Sequence, residues 1–238
     1  MTMKIGSLFS GIGGLELGLE RAISNATTVW QVESNGYARS ILAKHWPNAQ
    51  RYNNVRKVGA QNLKPVDLIC GGFPCQDISA ANTKAIGING SRSALWFEYA
   101  RIVRELRPKI VVVENVPALL NRGMGVVLGD LAACGYDAMW DCIPASAVGA
   151  KHRRDRVFIV AWSASNAVSF GHRAPQTIQF QPSIIANRGW AVEPHVGRVA
   201  TGVPNRVDRL RCLGNAVVPQ VAEVIGRVVM DIDQHCVG

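Results

Sequence analysis

The chain has 238 residues, 48% of them hydrophobic and 18% charged, which is long and apolar enough for one substantial core and excludes a disordered protein. Lys and Arg number 26 against 17 Asp and Glu, and the resulting charge of +9 makes a phosphate-backbone partner our first expectation. The six cysteines form no C-x-x-C pair and no apolar run approaches membrane length, so we expect a reducing cytoplasm, no metal site and no membrane partner. We also expect a monomer.

The first elements predict half of a nucleotide-binding βαβ unit. Residues 3–9 indicate a strand, Gly11–Gly14 a glycine turn, and Leu15 to about Ile23 a helix. Glu16 stands where a dinucleotide fingerprint has its third glycine, which argues against NAD or FAD. No Gly-Lys-Ser/Thr follows the turn, so a phosphate loop is excluded as well. A ligand that carries adenosine without phosphates remains.

A second strand, Thr28–Val32, ends at Glu33, and a helix is predicted from about Tyr37 to His45. A carboxylate at such a strand end can accept both hydroxyls of a ribose. A lone glutamate there is usually a solvated side chain. In combination with the glycine turn, the ribose-binding interpretation of Glu33 is favoured.

The apolar run Val66–Cys70 predicts a buried parallel strand, and the loop Gly71–Ser79 follows it. This loop presents Cys75 beside Pro74 at the carboxyl end of the strand, where open α/β sheets place their chemistry. Two interpretations of Cys75 are open on the residues alone. It is either a catalytic nucleophile or a small buried side chain on a tight turn.

After a predicted helix over Ala94–Leu106, the β-branched run Lys109–Val113 predicts the clearest strand of the chain. Glu114 and Asn115 follow at its carboxyl end, beside the expected position of Cys75. A glutamate that ends so apolar a strand should be desolvated, which raises its pKa until it can carry a proton near neutrality. The alternative is a carboxylate that caps a helix or forms a salt bridge.

The remaining pattern predicts a helix over residues 125–133 and strands over 139–143 and 157–161. Arg154 and Arg156, two residues apart, are expected on one face of the last strand, where they can hold a base carbonyl, a phosphate or a carboxylate. Residues 163–205 have little regular pattern, and a final helix is predicted from about 220 to 230.

Six blocks of this sequence resemble, in the same order, those of the cytosine-5 DNA methyltransferases: Phe9-Ser10-Gly11-Ile12-Gly13-Gly14, Glu33, Pro74-Cys75, Glu114-Asn115-Val116, Arg154-Asp155-Arg156 and Gly214-Asn215-Ala216-Val217. The resemblance covers about residues 3–162 and 204–228. It implies an α/β, Rossmann-like S-adenosylmethionine-dependent methyltransferase fold, with a mostly parallel sheet and helices on both faces. It also implies a catalytic and cofactor-binding domain (1–162), a target-recognition segment that is unusually short and irregular (163–205), and a return to the first domain (206–238).

The family's roles carry over to matching positions. Those implied as catalytic are Cys75, Glu114, Arg154 and Arg156. Residues implied to hold S-adenosylmethionine are Phe9, Ser10, Gly11, Gly13, Gly14, Leu15, Glu33, Asn54 and Asn215, with asparagine at position 54 where aspartate is usual. Residues implied to bind the substrate are Pro74, Gln76, Ser79, Asn115 and Arg92, the last in a loop whose Gly87 and Gly90 are possible hinges. Lys151 and His152 depart from the family's usual proline and glutamine.

The resemblance implies methyl transfer to carbon-5 of a flipped-out cytosine in double-stranded DNA, through a covalent adduct of Cys75. It implies a bacterial or phage-encoded protein, with a cognate restriction endonuclease as a further partner. Two alternatives stay open. An RNA cytosine-5 methyltransferase of the transfer-RNA type shares these blocks, and a catalytically inactive DNA-binding relic could retain them.

Overall fold

The computed structural model describes residues 2–74, 95–163 and 205–236. These residues contain one seven-stranded sheet with the order β3-β2-β1-β4-β5-β7-β6. Neighbouring strands from β3 to β5 are parallel, and β7 runs antiparallel to both of its neighbours. The expected α/β class with a mostly parallel sheet is confirmed. The strands are β1 (Met3–Leu8), β2 (Ala26–Val32), β3 (Gln50–Tyr52), β4 (Leu68–Gly72), β5 (Ile110–Asn115), β6 (Tyr136–Ile143) and β7 (Arg156–Ser163).

Helices cover both faces of the sheet. They are α1 (Gly14–Ala22), α2 (Gly36–His45), α3 (Leu95–Leu106), α4 (Leu119–Arg122), α5 (Met124–Ala133), α6 (Arg206–Asn215) and α7 (Pro219–Cys236), with 3-10 turns at Val55–Lys57 and Ala145–Val148. One buried core lies between the sheet and α3 and α5, and a second lies between the sheet and α1 and α7. The alternation along each strand produces this division, because successive side chains of a strand point to opposite faces.

Three elements were not predicted: β3, α4 and α6. The first has three residues and the second has four, which is too short for a hydrophobic period to show. The helix α6 is polar and leaves Val207 76% exposed, so no apolar stripe marks it in the sequence. The strand β6 also begins three residues before the predicted start at Met139.

The helix α7 packs tightly on α1, which brings the end of the chain back to its beginning. A Cβ atom added at Gly18 of α1 would lie 2.3 Å from Cβ of Ala222 in α7. A Cβ atom added at Gly14 would lie 2.2 Å from the backbone oxygen of Val217, so the segment before α7 touches the glycine turn directly. Residues 206–234 have the length and composition of a membrane-spanning helix, but α6 and α7 are separate helices and the apolar face of α7 is packed in the core.

Candidate active site

The glycine turn after β1 is hydrogen-bonded to the side chain of Glu33 at the end of β2. Gly11 and Gly13 have φ of +56° and +86°, the left-handed region that favours glycine. The backbone N–H of Gly11 donates a hydrogen bond of 2.8 Å to Oε2 of Glu33, and that of Asn35 donates one of 2.7 Å to Oε1. Phe9, also at positive φ, stacks its ring on Tyr99 with centroids 6.5 Å apart. The turn and the end of β2 thus form one rigid wall.

A cleft of about 970 Å³, including its open mouth, lies along this wall at the carboxyl ends of β1, β2, β4 and β5. This is the edge at which open parallel sheets bind ligands. Both acidic side chains predicted to be functional line it, together with residues of α6 that come from the far end of the sequence. Its lining includes Phe9, Gly11, Glu33, Ser34, Asn35, Phe73, Pro74, Glu114, Asn115, Arg156, Arg211, Cys212 and Asn215.

Glu114 is a buried carboxyl that forms an ion pair with Arg156. It is 8% exposed, and its Oε1 lies 2.9 Å from Nε of Arg156. Burial raises the pKa of Glu114 to about 7, against the opposing effect of the Arg156 and Arg154 guanidiniums. The predicted desolvation is confirmed, and the salt bridge that stood as the alternative interpretation is present as well. Gly72 faces Glu114 across the β4–β5 pair, and a Cβ atom at Gly72 would lie 2.4 Å from Oε2 of Glu114.

Asn115 fixes the chain that leads to Cys75. Its side-chain amide donates a hydrogen bond of 3.0 Å to the backbone oxygen of Phe73, and its Oδ1 accepts one of 2.9 Å from the N–H of Val116. Phe73 and Pro74 line the cleft, and Cys75 is the next residue in the sequence. Asn115 thus ties the end of β5 to the residues that precede the cysteine.

The prediction that Arg154 and Arg156 share one face of a strand is wrong for Arg154. The strand β7 begins at Arg156, and Arg154 precedes it with φ of +39°. The Arg154 guanidinium instead turns toward the segment after α6. It donates hydrogen bonds of 2.7 Å to the backbone oxygens of Gly214 and Ala216. These two carbonyls flank Asn215, so Arg154 holds the asparagine at the cleft.

Replacement of Arg154 by alanine is expected to loosen this segment. Hydrogen bonds from a charged group contribute about 1.5–3 kcal/mol when they are shielded from solvent. Because Gly214 is exposed and Ala216 is half-buried, we expect the free energy of unfolding to fall by no more than about that much. The affinity for S-adenosylmethionine should fall with it, because Asn215 is no longer positioned. Urea unfolding and calorimetric binding measure the two effects.

Arg153→Ala is the matched control for Arg154→Ala. The Arg153 side chain is 83% exposed and pairs with Asp155 at 3.2 Å, an interaction worth about 0–1 kcal/mol. Arg154→Lys is a second comparison, because an ammonium group cannot span two carbonyls as a guanidinium does. If the variants at 153 and 154 behaved alike, the interpretation of Arg154 as a clamp would be wrong.

The structure brings most of the predicted residues together. Phe9, Gly11, Glu33, Pro74, Glu114, Asn115, Arg156 and Asn215 line the cleft, and Ser10, Gly14 and Leu15 line a smaller cavity that adjoins it. Gly13 shapes the turn from behind, against Trp46. Asn54 is half-buried, caps the 3-10 turn by accepting a hydrogen bond of 3.0 Å from the N–H of Arg56, and is not among the cleft residues. Cys75, Gln76, Ser79, Gly87, Gly90, Arg92 and nearly all of 163–205 lie outside the described residues.

Eight cleft residues were not predicted as site residues: Ser34, Asn35, Ala38, Gly72, Phe73, Val116, Arg211 and Cys212. Gly72 stands in the glycine-led loop of the sequence, and its pairing with Glu114 appears only in the register of β4 and β5. Arg211 belongs to an arginine-rich stretch, which signals a basic surface without giving its location. Nothing in the sequence around Cys212 indicates that it lies in the cleft.

Comparisons with known proteins agree with this geometry. Over 167 residues the chain is 37% identical to the Type II methyltransferase M2.BsuMI of Bacillus subtilis, covering 67% of this chain and 42% of that protein. The crystal structure of a putative DNA modification methyltransferase from an Escherichia coli prophage is 27% identical, with a TM-score of 0.58, covering 69% of this chain and 47% of that one. The structure of Spodoptera frugiperda DNMT2 shares the fold, with a TM-score of 0.60 and 24% sequence identity. The match covers 74% of this chain and 54% of that one.

The chain spans about half the length of the curated relatives that it matches. The sequence model of the C-5 cytosine-specific DNA methylases matches residues 3–191, which is well over half of the chain. The chain therefore belongs to the C-5 cytosine-specific DNA methylase family.

Proposed function

We propose that this chain is a DNA (cytosine-5-)-methyltransferase that transfers a methyl group from S-adenosylmethionine to carbon-5 of a flipped-out cytosine. The observation that carries this proposal is the buried Glu114–Arg156 pair, which lies in the same cleft as Pro74. A carboxyl with a pKa of about 7 can hold a proton at neutral pH and donate it to a ring nitrogen. The cleft thus contains a proton donor, Glu114, and is lined by Pro74, the residue that precedes Cys75 in the sequence. This combination suits nucleophilic addition to a pyrimidine.

The described residues fit the cofactor. Each carboxylate oxygen of Glu33 accepts one hydrogen bond from a backbone N–H group. A carboxylate oxygen can accept a second hydrogen bond, here from a ribose hydroxyl. The glycine turn lies within the cleft without a phosphate-loop lysine, as expected for an adenosine ligand that has no phosphates. Asn215 and Phe9 line the same space. When bound, the cofactor supplies an electrophilic methyl group on a sulfonium sulfur.

The side chains of this protein perform the other steps. As a thiolate, Cys75 forms a bond to carbon-6 of cytosine, and the electron pair of the 5,6 double bond moves toward ring nitrogen 3, which takes the Glu114 proton. Carbon-5 thereby becomes nucleophilic. After methylation, a water-derived base removes the carbon-5 proton, Cys75 leaves as a thiolate, and ring nitrogen 3 returns its proton to Glu114. Arg156 holds the Glu114 carboxyl in place throughout.

Double-stranded DNA is the proposed substrate. The net charge of +9 favours a polyanion, and Arg211, exposed at the mouth of the cleft, is available for a phosphate. The target cytosine must leave the stack to reach the cleft, at a cost of roughly a few kcal/mol. Because the matched relatives include bacterial proteins named Type II methyltransferases, we extend the proposal to an enzyme of bacterial or phage origin with a cognate restriction endonuclease. We further propose that it is a monomer in the cytoplasm.

The test is to express the chain in a methylation-free bacterial host and sequence carbon-5 methylcytosine in its DNA and its transfer RNA. Methylation of DNA at a defined motif, absent with Cys75→Ala, is the expected result. If only RNA were methylated, the substrate would be RNA and the proposal of a DNA substrate would be wrong. No methylation of either polymer by a folded protein that binds S-adenosylmethionine would identify an inactive relic.

A further inference from the structure

A second cavity lies beneath the glycine turn and opens into the cofactor cleft. It encloses about 370 Å³, including its mouth, and shares Phe9, Gly11, Gly72, Glu114 and Asn215 with the cleft. Its inner wall contains Ser7 and Glu16, which the mechanism does not use. The cavity therefore joins the cofactor site to a polar cluster in the interior.

Glu16 is at the centre of this cluster. Its side chain is completely buried, and so is that of Gln31, while Ser7 is 1% exposed. Ser7 pairs in register with Gln31 on β2 and with Cys70 on β4, so these three side chains lie on the same face of the sheet. Within residues 2–74, 95–163 and 205–236, no hydrogen-bond partner is found for either Glu16 oxygen, the Ser7 hydroxyl or the Gln31 amide.

No ionic partner compensates the Glu16 carboxyl in the described part of the chain. Burial raises the pKa of Glu16 to about 7, and the nearby polar groups of Ser7, Ser10 and Gln31 oppose this rise only in part, since none of them forms a hydrogen bond with either Glu16 oxygen. The surrounding titratable groups are acids or are already paired: Cys70, which interacts with Glu16 and Glu20, Glu223 of α7, paired with Arg21, and Glu114, paired with Arg156. A buried carboxylate without a cation is costly, so a positive charge in this cavity would stabilise the ionised form of Glu16.

We propose that the Glu16 carboxylate provides the negative charge that balances a cationic ligand in the cofactor cavity. In a large fraction of the free protein molecules Glu16 is protonated, and it releases this proton when a cationic ligand enters the cavity that it lines. The inference rests on the proposed function, which supplies the ligand. S-adenosylmethionine carries a sulfonium and an ammonium group, whereas S-adenosylhomocysteine retains only the ammonium. Glu16 would thus contribute to discrimination between cofactor and product by charge.

The sign of the linkage follows from this exchange. A cation favours the ionised carboxylate and lowers the pKa of Glu16 in the complex, so the free protein holds more protons than the complex. The affinity for S-adenosylmethionine should therefore rise with pH, by up to about tenfold per pH unit below pH 7, and level off above it. Binding at pH 7 should release about half a proton from Glu16.

The experiment is isothermal titration calorimetry of the whole chain with S-adenosylmethionine, in two buffers of different ionisation enthalpy, from pH 6 to pH 8. Glu114 lines the same cavity and also titrates near neutrality, so Glu16→Gln, Glu114→Gln and the unmodified chain are compared. We expect Glu114→Gln to keep the proton release assigned to Glu16 and Glu16→Gln to lose it. S-adenosylhomocysteine should release fewer protons than S-adenosylmethionine.

A second measurement does not need the Glu16 variant to fold. Carbon-13 NMR of glutamate carboxyls in Glu114→Gln should show one carboxyl that titrates near pH 7 and shifts to lower pH on saturation with S-adenosylmethionine. Cofactor binding without proton release in the unmodified chain, or with undiminished release in Glu16→Gln, would overturn this inference alone. Failure to bind the cofactor at all would overturn the proposed function as well.

Discussion

Replacement of Glu114 by glutamine is expected to lower the rate of methyl transfer by about 10²–10⁴-fold, because glutamine can accept or donate a hydrogen bond but cannot supply a proton. The variant keeps the size of the side chain beside Gly72 and should fold. Its affinity for S-adenosylmethionine should change little, apart from losing the part of its pH dependence that Glu114 causes. Single-turnover methylation of a cytosine duplex, together with calorimetric cofactor binding, separates the two properties.

The pH profile of the unmodified enzyme offers a second view of the same residue. Since the pKa of Glu114 is about 7, the proton that it donates is lost as the pH rises above 7, and the single-turnover rate should acquire a falling alkaline limb. That limb should be absent in Glu114→Gln. Glu98→Gln, which removes a partly exposed partner of Arg101 on α3, is the control and should retain the full rate. A Glu114→Gln enzyme of normal rate would remove Glu114 from the mechanism.

Stability should depend on pH through the same group. The pKa of Glu114 in the folded chain lies above the ordinary glutamate value of 4.5, so the fold holds a proton that the unfolded chain has lost. This contribution to stability is fully present below about pH 4.5 and disappears as the pH rises through about 7.

The sequence predicts those parts of this site that depend on local pattern. The β-branched run before Glu114 specifies a buried strand, and a carboxyl at its end has to be desolvated, so both the position and the raised pKa of Glu114 could be expected. The glycine turn and Glu33 are likewise local features of the first βαβ unit. Their hydrogen bond follows from the way parallel strands bring their carboxyl ends together.

What the sequence could not predict depends on contacts between distant segments. Arg154 reaches carbonyls about 60 residues later in the chain, and its backbone leaves the strand region to do so. In the sequence Glu16 is notable only as the residue that replaces the third glycine of a dinucleotide fingerprint, and periodicity does not show that its side chain is buried against the polar residues Ser7 and Gln31. The packing of α1 on β1 and β2 creates its buried environment.

Gly72→Ala is expected to disable the active site while leaving the fold nearly intact. The new methyl carbon would lie 2.4 Å from Oε2 of Glu114, well inside van der Waals contact. The backbone at Gly72 does not need positive φ, so the strand itself tolerates alanine. The carboxylate end of a flexible side chain has to move instead, which disturbs its ion pair with Arg156, now at 2.9 Å. A displacement of about 1 Å can cost roughly 10²-fold in rate.

The matched control is Gly129→Ala in α5, where a Cβ atom would meet nothing within 4 Å. Because alanine is the better helix former, that variant should gain about 0.5–1 kcal/mol of stability and keep its activity. For Gly72→Ala we expect a loss of roughly 10²-fold in single-turnover methylation, with a urea midpoint close to that of the unmodified chain. A Gly72→Ala enzyme with full activity would mean that the carboxylate position seen beside Arg156 is not the one used in catalysis. Unfolding of Gly72→Ala, with Gly129→Ala stable, would show instead that Glu114 cannot yield and that the pair with Arg156 holds β4, β5 and β7 together at the site.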